Sequence, residues 1–308
     1  MFILPPMRPL RSILLFFAVV LIGGALVAPW LFFLAHWAAV HISGCANWAQ
    51  VPLHRFVHRS FIAVAILALP RFLRSLGLSG RIDLRAALRA PRWKPLANGI
   101  VIGFTSLALI LACELLSGSR GWRTDHAPEE ICRFLIGAVA TALTVAAIEE
   151  FLFRWALYGS LRRVYAKWFA VGLSSAIYAI IHFLSRPDAP AQVTWISGFA
   201  LVPRMLRGFA DFHSLIPGFF NLLLVGSILA VAYERTGRLW LSIGLHAGWI
   251  FWLKSYGFWT LERCLGSPWI WGSEKMIDGW LAFFVLIFTA VIVNLITKQD
   301  NQLQNASL

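Results

Sequence analysis

The chain has 308 residues, 59% of them apolar and only 13% charged. Soluble domains carry about a quarter charged residues, and a chain of this length cannot enclose so much apolar surface, so a water-soluble fold is excluded. The formal charge of +13 arises from 27 Lys and Arg against 14 Asp and Glu, yet no basic face interleaved with aromatics accompanies it, so nucleic acid is not expected as a partner. The loop asymmetry of membrane proteins explains the same excess.

Taken in order, the apolar segments fall at about 13–40, 51–70, 97–117, 131–159, 168–185, 216–233, 239–255 and 278–297. Most run near or beyond 18 residues with almost no charge, the length a spanning helix requires. The expected fold is all-α, a polytopic membrane bundle of about eight transmembrane helices forming a single domain over residues 1–308. The first segment follows Arg8 and Arg11, and Ala25-Leu-Val-Ala28 faintly resembles a cleavage site. It is too long for a signal peptide and reads as an uncleaved span.

Between the second and third segments, charges from Arg71 to Lys94 alternate with Ile82, Leu84 and Leu88, the pattern of an amphipathic helix lying on a membrane surface. A shorter apolar patch around Val193–Val202 suits a re-entrant or interfacial piece. With the N-terminus inside, fifteen Lys and Arg fall on inner segments and eleven on outer segments and span edges. That bias favours a multi-pass protein of the cytoplasmic (inner) membrane with both termini cytosolic. Trp30, Trp37, Trp48, Trp168, Trp240 and Trp280 lie near span ends as an aromatic belt. Cys45, Cys113, Cys132 and Cys264 form no CxxC pair; Cys45, Cys132 and Cys264 fall near outer ends, where one disulfide could form.

Ionisable groups deep in a span are costly and usually functional. The fourth segment ends in Glu149-Glu150-Phe-Leu-Phe-Arg154. Glu150 and Arg154 stand four apart in the favourable order and can pair along one face. Glu149 points about 100° away and lacks that partner, which suits a general acid or base; an interhelical ion-pair staple is the structural alternative. Upstream, Glu129 and Glu130 follow Pro128 and read as a helix start, with no part in chemistry.

His182 follows Tyr178 by one turn, so the tyrosine can orient its imidazole, and His246 sits between Gly244, Ala247 and Gly248, where small residues permit close helix approach. At 1.5 Å per residue, Glu149, His246 and His182 lie roughly 15, 10 and 20 Å from the inner ends of their helices. Helix tilt lets all three share one layer. Two imidazoles and a carboxylate there would make a water-activating site or a divalent-metal site. The other histidines (His36, His41, His54, His58, His126 and His213) fall at span edges or in loops, and no HExxH motif occurs.

These residues resemble the motifs of the CPBP family of intramembrane proteases, the CAAX-protease, bacteriocin-processing and abortive-infection group. The resemblance rests on Glu149-Glu150-x-x-x-Arg154, Tyr178-x-x-x-His182 and Gly-Leu-His246-Ala-Gly-Trp, and covers about Ile131 to Phe251. It implies a glutamate-dependent intramembrane endopeptidase acting on a membrane-associated peptide or protein, with the core in residues 131–255. Glu149 would activate water with His182, His246 would help hold the oxyanion, and Glu150, Arg154 and Tyr178 would support them. No cofactor is expected on this mechanism, whereas the metal reading would bind a divalent ion with Glu149, His182 and His246. One departure stands out: the family often carries Asn or Asp four residues after the second histidine, where this chain has Ile250. Asn221 on the preceding span, or backbone N–H groups, would then have to replace the donor. A catalytically weak scaffold or immunity factor, and a transporter with a Glu/His proton relay, are the other classes the sequence leaves open.

Overall fold

A computed structural model describes residues 9–77, 93–185, 192–263, 267–273 and 275–306. It is helical almost throughout, and six helices among these residues are long and apolar enough to cross a membrane. Large apolar side chains stand on the outside: Leu14, Ile22, Leu67, Leu116, Ile136 and Phe284 are each more than half exposed. Such a surface is tolerable only in lipid. The protein is therefore an all-α, multi-pass membrane protein.

The chain divides into two compact units, residues 1–79 with 183–210 and residues 80–182 with 211–308. In the first, α1 (Pro9–His41) packs on α2 (Leu53–Ser75). Gly24 makes this possible, because a Cβ there would lie 2.0 Å from the Phe61 ring. Ala28, Leu53, Val57 and Leu201 form the small core. The patch around Val193–Val202 yields one short helix, α3 (Ser197–Met205), which lies against α1 where Gly198 faces the Ala25 carbonyl. Helix α2 continues through Arg71 to Ser75. The rest of the amphipathic helix expected up to Lys94 lies largely outside the described residues.

The second unit holds the motifs. Its helices are α4 (Trp93–Ser117), α5 (Pro128–Glu150), α6 (Gly159–Val164), α7 (Lys167–His182), α8 (Phe212–Thr236), α9 (Trp240–Trp259), α10 (Pro268–Trp271) and α11 (Trp280–Ala306). Two short strands, β1 (Arg120–Trp122) and β2 (Thr260–Glu262), pair antiparallel and tie the end of α4 to the end of α9. Pro128 opens α5 with Glu129 and Glu130 exposed in its first turn, as a helix start requires. Helix α8 is capped by Asp211, whose carboxylate accepts from the Ser214 hydroxyl at 2.7 Å and the His213 N–H at 3.2 Å. The Ser214 hydroxyl, then the backbone N–H groups of His213 and Ser214, hold its pKa below the usual aspartate range.

Within this unit α4 and α9 cross closely. A Cβ added at Gly99 would lie 2.5 Å from the Leu241 carbonyl oxygen, at Gly103 2.2 Å from that of Leu245, and at Gly244 2.2 Å from that of Leu96. Two small-xxx-small faces, Gly99/Gly103 and Gly244/Gly248, thus meet backbone to backbone. Trp249 Nε1 donates to Ser106 Oγ at 2.9 Å, and Trp252 Nε1 to the Phe104 carbonyl at 2.9 Å, which fixes the rotation of α9.

Six of the eight expected spans meet the length and apolarity of a crossing helix. The segments expected at 168–185 and 239–255 are also helices, α7 and α9, but fall short in different ways. Helix α7 has 16 residues, about 24 Å at 1.5 Å each against roughly 30 Å of hydrocarbon. Helix α9 has 20 residues, with Ser242, His246 and Ser255 all buried in the unit. Among the described residues Cys45, Cys113 and Cys132 are free thiols, and Cys264 lies outside them.

Candidate active site

Glu149 and Glu150 close α5, and the chain then continues as a π-helical segment, Phe151–Tyr158, before α6. Single π turns inside α-helices recur at functional sites because the widened turn re-aims the side chains around it. Its far end is clamped: Tyr158 Oη donates to Glu234 Oε2 at 2.7 Å, and Arg162 Nε to Glu234 Oε1 at 3.0 Å. The segment is thereby held against α8.

Glu150 is fully buried. Its Oε1 lies 2.8 Å from His246 Nδ1, and its Oε2 lies 3.3 Å from Arg154 Nε, an ion pair off line for a hydrogen bond. The Arg154 guanidinium is 2% exposed and lies over the Tyr178 ring at 4.7 Å. Glu149 points elsewhere, as the 100° offset on a helix requires. Its Oε2 stands 3.8 Å from His182 Nε2 and 3.7 Å from His246 Nε2, and it is buried with no hydrogen-bond partner. His182 ends α7 and turns its Nδ1 to the Tyr178 carbonyl at 2.7 Å. The Tyr178 hydroxyl lies 3.3 Å from His246 Nε2.

All six residues singled out in the sequence (Glu149, Glu150, Arg154, Tyr178, His182 and His246) therefore belong to one contiguous cluster. With neutral imidazoles it carries two carboxylates and one guanidinium, so it is one negative charge in excess and has a buried oxygen free to receive a proton. Such an arrangement has the chemistry to accept a proton from a bound water. Among the described residues no set of three or more His, Cys, Asp or Glu side chains is arranged to hold a metal ion.

Two expectations change. Tyr178 orients His182 through its backbone carbonyl, while its hydroxyl serves the other histidine. Asn221 cannot stand in as a donor beside His246, because both its amide hydrogens are taken, by the Ile277 carbonyl at 2.7 Å and the Gly279 carbonyl at 2.9 Å.

Sequence reasoning also passed over Glu114, a fully buried carboxylate of α4 whose Oε2 accepts from Tyr256 Oη at 2.7 Å. A lone acid in the apolar run 97–117 was the available signal. Arg120 lies over the Tyr256 ring at 4.2 Å and 3.9 Å from Glu262, closing a second polar cluster.

The architecture and the cluster define a class: a multi-pass α-helical membrane protein with a buried acid–imidazole site on packed helices. Residues 132–252 match the family model described as type II CAAX prenyl endopeptidase, Rce1-like, and this segment spans every residue of the cluster. That segment is thus similar to the CAAX-protease (CPBP) family. No curated protein and no solved structure matches the chain.

Proposed function

We propose that the protein is an endopeptidase that cleaves a hydrophobic or membrane-associated peptide by water activated at Glu149. The observation that supports this reading most is the Glu149 oxygen, buried, without a hydrogen bond, and facing two imidazole nitrogens at 3.7 and 3.8 Å. A water molecule donating to that oxygen would lie beside both rings. As its oxygen attacks the scissile carbonyl, the water's O–H bond breaks and the proton passes to Glu149. The carbonyl π electrons move onto oxygen, giving a tetrahedral oxyanion. When this collapses the C–N bond breaks, and the proton held at the site goes to the leaving nitrogen, returning Glu149 to its carboxylate. Glu150 keeps His246 fixed, and Arg154 balances the Glu150 charge.

The match of residues 132–252 to the CAAX prenyl endopeptidase model supports a protein or peptide substrate met in the bilayer. The distribution of Lys and Arg supports the cytoplasmic membrane with both termini cytosolic.

The test is cleavage of hydrophobic and lipidated peptides by the detergent-solubilised protein, wild type beside Glu149→Gln. Wild-type cleavage is expected to fall by about 10²- to 10⁴-fold in the variant, the range a positioned general base contributes. Chelator should leave the rate unchanged; a rate abolished by chelator would move the chemistry to a metal held by the same three residues. Equal support of a cellular phenotype by wild type and variant would establish a scaffold instead.

A further inference from the structure

We infer that the hydroxyl of Tyr178 is the neutral hydrogen-bond donor to the oxyanion at this site. The inference rests on the endopeptidase reading and follows from where the protons on the two histidines must lie.

Glu150 faces the Arg154 guanidinium, and as the carboxylate partner of that cation it only accepts hydrogen bonds. His246 Nδ1, 2.8 Å from Glu150 Oε1, must then carry the proton. The Tyr178 carbonyl also only accepts, so His182 Nδ1, at 2.7 Å, carries a proton as well. In the neutral ring the other nitrogen is a bare lone pair. Both Nε2 atoms, the ones turned toward Glu149, are thus acceptors, as is Glu149 Oε2 itself. Three acceptors converge there, which suits a water molecule that donates two hydrogens. None of the three can stabilise a developing negative charge on a carbonyl oxygen.

Within the cluster one neutral donor reaches this place. Tyr178 Oη lies 3.3 Å from His246 Nε2 and donates to it, since that nitrogen has no hydrogen to give. The ring is 2% exposed and packed against both His182 and Arg154, at 4.2 and 4.7 Å from its centre, so the hydroxyl is pre-positioned. Arg154 is drawn to Glu150. Ile250, one turn beyond His246 on α9, has no donor, and the Asn221 amide is committed to two carbonyls.

During attack the Tyr178 hydrogen bond swings from His246 Nε2 to the oxyanion. This releases the Nε2 lone pair at the moment a proton arrives on Glu149, 3.7 Å away. His246 takes that proton and delivers it to the leaving nitrogen as the C–N bond breaks. The hydroxyl then returns to His246, and no proton is gained or lost by the enzyme.

The test compares wild type, Tyr178→Phe, Tyr178→Phe/Ile250→Asn and Glu149→Gln on one cleaved peptide. Phenylalanine keeps the ring that packs on Arg154 and His182. The single variant should lose about 10²- to 10³-fold in kcat at unchanged KM, the usual cost of one oxyanion donor. The double variant should regain part of that loss, because position 250 lies one turn from His246 on the same face. Full kcat in Tyr178→Phe, with Glu149→Gln inactive, overturns the assignment and leaves the endopeptidase reading intact. Equal rates for wild type and Glu149→Gln overturn both. Should the phenylalanine variant fail to fold, fluorotyrosine at 178 preserves the shape and strengthens the donor. A kcat unmoved by that replacement also overturns the assignment.

Discussion

Two places in the second unit are built from the same three parts. At each, a fully buried glutamate, Glu150 or Glu114, neighbours a tyrosine whose ring lies under an arginine. At Glu114 the tyrosine hydroxyl donates straight to the carboxylate, and the chain of contacts ends there. At Glu150 an imidazole stands between acid and tyrosine, and a second acid, Glu149, faces that imidazole from its other nitrogen. Burial of a carboxylate is common to both. Each place also keeps a buried carboxylate oxygen without a hydrogen bond, but only the one at Glu149 faces two imidazoles, and that sets the Glu150 site apart as a place where a proton can be passed on.

The contrast can be broken from either side. The largest effect on stability is expected from Glu150→Ala, which leaves the Arg154 charge buried without its counter-ion and His246 Nδ1 without an acceptor. Removing one partner of a buried pair costs about 3–5 kcal/mol, so the thermal midpoint in detergent should fall steeply and cleavage should vanish. An unchanged midpoint would mean that Arg154 has other support.

Next comes Gly248→Leu. A Cβ there would meet the Phe104 nitrogen at 2.6 Å, so α9 must withdraw from α4 and carry His246 with it. About 1–3 kcal/mol of overpacking and a loss of turnover are expected together. Gly257→Leu on the same helix meets nothing within 4 Å and should change neither, which makes it the matched control.

The smallest effect belongs to Glu114→Gln. The amide oxygen can still accept from Tyr256, so roughly 1 kcal/mol should be lost. Turnover per folded molecule should equal that of wild type. A drop in kcat without a drop in stability would mean that the two clusters are coupled and the contrast drawn above is false.

Much of this was legible in the sequence, for one reason: charge is so rare in an apolar chain that each instance stands out. Glu149, Glu150 and Arg154 could be picked on that ground, although Glu114 was not; His182 and His246 needed their shared depth as well, and spacing along one helix separated the paired acid from the unpaired one. The proton arrangement was not legible. It depends on contacts such as Tyr178 with His246, 68 positions apart, and on the rotation of α9, which Trp249 and Trp252 fix against α4. The π segment left no signal either, since Phe151–Tyr158 contains no Gly or Pro and differs from α-helix only in which carbonyl each N–H reaches. Gly244 and Gly248 were noticed, but their counterparts Gly99 and Gly103 gain meaning only once the two helices cross.

The shortness of α7 and the polarity of α9 bear on how the protein is made. Among the described residues six helices have the length and apolarity to cross a bilayer unaided, and these two fall below that measure. On that measure each would rely on neighbours already inserted, and each bears one of the two histidines. A nascent or truncated chain would hold Glu149 in the membrane with no imidazole beside it. On the proposed reading it would be silent, and competence to cut would arise only as the unit closes, which protects the cell's other membrane proteins while this one is being synthesised.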